Sequence, residues 1–197
     1  MSLDKVPLIQ YGKAEDIINS VTHAVGAVFG VVVLILCTVR SAKLGSAMGV
    51  VSSVIYGVSM ILLYFCSALY HGLPAGNAKR FMRIVDHAVI YGVTWGCALL
   101  GIILTLIDFE KFKVMEMVLY IAIGWTLLFV VKPLFHALST TGVVLVILGG
   151  AVYTVGAIIY GFGKKVKYFH ALFHIFVLAG STLHFVAVYW YVLPLAK

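Results

Sequence analysis

The sequence predicts an all-α fold, a polytopic bundle of transmembrane helices, and three observations carry that prediction. Of the 197 residues, 63% are hydrophobic, against about 45–50% apolar content in soluble domains, and the mean hydropathy is +1.11. Only 11% are charged. The uncharged residues fall into six runs, 21–39, 44–71, 87–107, 117–131, 133–163 and 168–196, and about 20 apolar residues suffice to cross the hydrocarbon as a helix.

Before the first run stands "MSLDKVPLIQYGKAEDIINS", in which charges alternate with isolated apolar residues. It lacks the apolar centre of a secretory signal, so no cleaved leader is expected. The second run ends in "CSALYHG" and the third opens in "RIVDHAVIYG". The fourth run is short; it spans only if it reaches back past Glu116 to Val114 and Lys132 snorkels to the interface. The fifth and sixth are long enough unaided. Six apparent spans follow, in a single membrane domain over 1–197, since no low-complexity tract or long linker divides the chain.

Cys37, Cys66 and Cys97 all lie in apolar runs, which reads as small core residues and not as a disulfide framework. The spacings Gly26/Gly30, Gly45/Gly49 and Gly92/Gly96 are small-xxx-small pairs suited to close helix approach. The formal net charge of +7 comes from lysines and arginines in short connecting segments. This pattern argues against a nucleic-acid face and for contact with anionic membrane lipids.

Few ionisable residues lie in or beside the runs: His23, His71, Asp86, His87, His170, His174 and His184. Such groups are costly in lipid and are functional candidates. His170 and His174 are spaced i, i+4, so one helix face presents both imidazoles. His71 follows Ser67 by four residues and shares its face, and Asp86 comes after a short loop. This set would suit zinc bound by His71, His170 and His174 with a water in the fourth position, Asp86 holding or deprotonating the water and Ser67 supporting from outside the ligand set.

The remaining histidines fit less well. His184 is ten residues beyond His174, about 15 Å along a helix, and is expected to bond a neighbouring helix. His23 is either interfacial or an indirect support for the site, His87 points about 100° away from Asp86, and His136 falls in a loop. The competing reading is that each histidine separately serves packing.

The segments "SALYH", "RIVDHAVIYG", "IAIGWTLLFVVKPL", "AVYTVGAIIYG" and "HALFHIFVLAGSTLHFVAV" resemble the bacterial hemolysin III proteins, relatives of the progestin and adipoQ receptors. The resemblance implies seven helices, a cytoplasmic amino terminus in the bacterial inner membrane, and zinc near the cytoplasmic side on His71, His170 and His174, with Ser67 and Asp86 close by. It also implies hydrolysis of lipid amides, as in the ceramidase activity associated with adiponectin receptors. Two other readings stay open: a non-enzymatic homeostasis factor or receptor with structural zinc, and a haemolytic pore.

Against that family the chain lacks about one span after Gly92. If the segments starting near Ile84, Val114 and Pro133 each crossed once, His71 and His170 would lie on opposite sides and could not share a metal. Positive-inside charge raises the same conflict for the basic clusters Lys79/Arg80/Arg83, Lys111/Lys113 and Lys164/Lys165/Lys167. Three explanations are compatible with the sequence: a variant lacking an internal segment, a re-entrant turn around "GVTWG", or six crossings with the site lost.

Overall fold

The computed structural model describes residues 6–9, 11–92, 117–118, 121–125, 135, 138–163 and 166–195, without the side chains of 87–92. Its long elements are α1 (Lys13–Lys43), α2 (Ala47–Gly72), α3 (Asn77–Gly92), α4 (Thr140–Phe162) and α5 (Phe169–Ala187). A π turn, Val188–Val192, and a 3-10 turn, Leu193–Leu195, continue α5. No strand occurs among the described residues. The protein is a helical membrane bundle, in which α1, α2, α4 and the continuous segment Phe169–Leu195 are each long and apolar enough to cross a membrane. These four match the first, second, fifth and sixth runs; most of 87–107 and 117–131 lies outside the described residues.

Local chemistry sets the element ends. α1 begins at Lys13, well before the apolar run, with Glu15 and Asp16 in its first turn and Arg40 and Lys43 in its last. That charge order complements the helix dipole. The turn into α2 uses Gly45 at φ 71°, a left-handed conformation glycine adopts without a Cβ clash, and Ser46 then caps α2 by accepting the Gly49 N–H at 2.9 Å. Ser139 caps α4 in the same way through the Gly142 N–H at 3.3 Å, so α4 starts at Thr140 and not at the beginning of the run 133–163.

Packing is the inverse of a soluble bundle. On α1 the buried residues are Glu15, Asn19, His23, Gly26, Gly30, Val33, Cys37 and Ser41, while Val21, Val25, Val28 and Ile35 are exposed. Small and polar groups face the neighbouring helices and large apolar ones face outward, as lipid demands. Gly26 lets the Tyr64 ring approach so closely that an added Cβ would sit 2.5 Å from it. The pair Gly26/Gly30 therefore packs α1 on α2 as expected. Gly45/Gly49 does not pack helices; it builds the α1–α2 turn and cap. Gly92 ends α3, and Gly96, like Cys97, lies outside the described residues.

The N-terminus of α1, the C-terminus of α2, the N-terminus of α3 and the junction of α4 with α5 meet at one end of the bundle. Asp16 reaches both His71 and Lys79, and Glu15 Oε1 accepts the Tyr168 N–H at 3.2 Å. At the other end, the Arg40 guanidinium lies 4.6 Å from the Tyr189 ring centre and 5.0 Å from that of Trp190.

Candidate metal centre

His71 sits in the last turn of α2, and His170 and His174 occupy the first two turns of α5. All three are buried. His170 Nε2 lies 3.2 Å from His71 Nε2 and 3.1 Å from His174 Nε2, and the three residues offer nitrogens that all fall within 4.8 Å of one another. Tetrahedral zinc with Zn–N bonds of about 2.0–2.1 Å would separate its ligand nitrogens by about 3.3–3.4 Å. The side chains therefore already stand close to the spacing a metal requires, and the triad can hold one.

The second nitrogen of two of these rings shows where the protons are. His71 Nδ1 faces Asp16 Oδ1 at 3.3 Å, and Asp16 Oδ2 accepts from Lys79 Nζ at 2.9 Å. His174 Nδ1 faces the Asn19 carbonyl at 3.3 Å and Thr22 Oγ1 at 3.3 Å. A lysine-bound carboxylate and a carbonyl can only accept, so each of these Nδ1 atoms is placed to donate, which leaves Nε2 of a neutral ring as a lone pair. His170 Nε2 stands between them and can donate to one at most. The three Nε2 atoms thus converge on one point, where a cation can be held.

Aromatic and acidic residues hold the rings in place. Tyr11 stacks on His170 with centroids 5.0 Å apart and 25° between planes; burial pushes its phenol well above the ordinary tyrosine range, so it stays neutral. His23 stacks on His174 at 3.6 Å and meets the edge of Tyr64 at 5.2 Å. Tyr168 has φ 65°, uncommon for a residue with a Cβ, and its N–H bond to Glu15 pins the start of the ligand-bearing helix.

Ser67 is buried one turn before His71, and its hydroxyl lies near enough to the Asp86 carboxylate to act on it. The buried Arg83 lies near enough for its charge to act on Asp86. The structure thus brings His71, His170 and His174 to one point and pairs Ser67 with Asp86 beside it. His184 does not join them: its Nε2 bonds the Val146 carbonyl on α4 at 3.1 Å. His23 lies against the site, and the side chain of His87 and all of His136 fall outside the described residues.

Simple six-crossing parity, which would separate His71 from His170, is overturned by their 3.2 Å contact. The path between them from 93 to 116 lies outside the described residues. Sequence reasoning missed Tyr11, Asp16, Asn19 and Lys79. A signal existed: Glu15, Asn19 and His23 recur every four residues, one polar stripe on a helix that begins before its apolar run.

A buried three-histidine cluster in a helical membrane bundle defines a class of protein, and comparison supplies the family. The family profile of haemolysin-III related proteins matches residues 11–92 and again 88–185, and the chain belongs to that family. Hemolysin-3 homolog of Bacillus subtilis (strain 168) is 34% identical over 201 residues, 90% of this chain and 94% of that protein. Hemolysin-3 of Bacillus cereus is 34% identical over 207 residues, 93% of this chain and 94% of its own length. Monocyte to macrophage differentiation factor of Homo sapiens is 26% identical over 132 residues, 67% of this chain and 52% of that protein. No solved structure matches the chain.

These matches bear on the missing span. An alignment of 201 positions using 90% of 197 residues, about 177, leaves about 24 positions without a residue from this chain, the length of one crossing helix. The two profile matches share residues 88–92, next to Gly92, after which the sequence leads one to expect a span fewer than the family has.

Proposed function

We propose that this membrane protein is a zinc-dependent hydrolase of lipid amides, with zinc held by His71, His170 and His174. The observation that carries the metal is the convergence of the three buried Nε2 atoms, with His170 Nε2 3.2 Å from His71 Nε2 and 3.1 Å from His174 Nε2. Three imidazoles, with no fourth ligand grouped with them among the described residues, match a catalytic-type zinc site, which keeps a position for water. Bound zinc would lower the pKa of that water to about 7 and polarise a carbonyl.

The chain's own residues supply the rest. Asp86 accepts a proton from the attacking water and returns it to the amine nitrogen as the amide C–N bond breaks, and the Ser67 hydroxyl beside the carboxylate orients it. The outward apolar faces give a lipid lateral access, and the buried setting of the histidines limits bulk water. The choice of a lipid amide rests on the resemblance to proteins associated with ceramidase activity. Lys79, Arg80, Arg83 and Lys167 cluster at the histidine end, which supports a cytoplasmic site and amino terminus in a bacterial inner membrane.

The test begins with the zinc content of the detergent-purified protein. We expect about one zinc per chain, as a mononuclear site implies, lost in His170→Ala/His174→Ala, and release of fatty acid from a ceramide lost in Asp86→Ala. Hydrolysis that survives Asp86→Ala or complete removal of metal rejects the enzymatic assignment. A direct Asp86–zinc bond would instead close the site and favour structural zinc in a receptor or homeostasis factor. The names of the Bacillus relatives favour a further reading, membrane lysis, which lysis of red cells by purified protein would test.

A further inference from the structure

We infer that Asp16, anchored by Lys79, is the positioning residue of the metal centre: it holds His71 as the Nδ1–H tautomer with Nε2 aimed at the metal. This rests on the zinc reading above and deepens it. Asp16 on α1 and its anchor Lys79 on α3 come from two elements that supply none of the three ligands. Oδ1 meets His71 Nδ1 at 3.3 Å, and Oδ2 accepts from Lys79 Nζ at 2.9 Å. Lys79 Nζ also lies 3.5 Å from the His71 carbonyl oxygen. One ammonium from α3 therefore ties down both the carboxylate and the main chain of the residue it orients.

The geometry assigns Asp16 two effects on affinity. An imidazole bonded through Nδ1–H to a carboxylate is fixed in rotation and made a stronger donor at Nε2. The same carboxylate offsets the charge of Lys79, which is only 5% exposed and close to His71. Without Asp16, that ammonium would stand beside a cation site with its opposing charge removed. α1 treats the other end of the triad alike, since the Asn19 carbonyl holds His174 Nδ1 at 3.3 Å, but there the acceptor is main chain and no substitution deletes it. Asp16 is the α1 side chain that meets His71, and its role can be tested by substitution.

The experiment measures zinc affinity of the full-length protein in detergent by competition with a chelator of known strength. It is read beside nitrogen-15 spectra of labelled histidines that report the His71 tautomer. Asp16→Ala is expected to weaken zinc binding about 10- to 100-fold, the usual cost of losing an outer partner of a metal-bound histidine, and to release His71 into mixed tautomers. Asp16→Asn keeps an acceptor oxygen without the charge and should fall between Asp16→Ala and the parent; it carries the test if Asp16→Ala does not fold. Lys79→Met should weaken binding less than Asp16→Ala, because the Asp16–His71 contact persists. Parent protein that binds zinc while Asp16→Ala and Asp16→Asn bind it equally tightly, with His71 still Nδ1–H, overturns this inference alone. Parent protein that binds no zinc overturns the metal reading and this inference with it.

Discussion

Within the bundle interior, Tyr153, Ser181 and Tyr64 pass hydrogen bonds along a line that ends on the Val177 carbonyl, with Tyr64 and Ser181 oxygens 2.6 Å apart and Tyr64 Oη 3.3 Å from the carbonyl. About two turns along α2, His71, His170 and His174 crowd as closely with a different outcome. In the hydroxyl chain every proton has an acceptor, so the group is complete and its work is to join α2, α4 and α5. In the histidine cluster the outer nitrogens of His71 and His174 face Asp16 and Asn19, and the inner nitrogens converge on one point with no carbonyl to close the line. Burial of polar groups does not by itself indicate function; the convergence of several potential metal ligands on one point is the stronger sign.

The strongest way to break this comparison is to remove one inner nitrogen. His71→Ala should bring zinc from about one per chain to near none, since two imidazoles remain of the three a catalytic-type site uses, and elemental analysis of purified protein reads it directly. Gly26→Val attacks the frame instead. Its side chain would enter the Tyr64 ring, and overpacking of this kind costs about 1–3 kcal/mol, visible as easier unfolding in mixed detergent. Loss of stability with zinc retained would separate frame from site.

Ser181→Ala sharpens the contrast at a lower cost. Breaking the hydroxyl chain should cost about 1 kcal/mol and leave zinc affinity unchanged; a fall in affinity would show the two polar groups to be one network. The smallest effect is expected at the far end, where Arg40→Gln removes a guanidinium packed against Tyr189 and Trp190. A cation–π contact at such a site contributes about 0.5–1 kcal/mol, measurable by the same unfolding assay and without consequence for zinc.

Much of this was legible before any coordinates. Hydropathy found the four helices that the structure describes as membrane-length, and the i, i+4 spacing of His170 and His174 put both on one face, as observed. Other features were not legible because they do not depend on hydropathy. The apolar run beginning at Val21 hid the first two turns of α1, where Glu15, Asp16 and Asn19 are polar because they face the site. Lys79 read as a loop charge beside Arg80 and Arg83, but it is buried on Asp16. Crossing parity failed for a related reason: counting apolar runs assigns each a full traverse, whereas the contact between His71 and His170 depends on where the chain returns.

The sequence by itself determined that this chain is an all-helical membrane protein and that His170 and His174 share one helix face, because apolar length and helical period are properties of consecutive residues. Only the tertiary structure decided that His71 meets His170 and His174, and that Asp16 and the Asn19 carbonyl orient two of the rings. Those contacts join residues 55 to 155 positions apart. Their formation depends on how helices pack and on which buried acceptor faces which donor, and no local pattern encodes that.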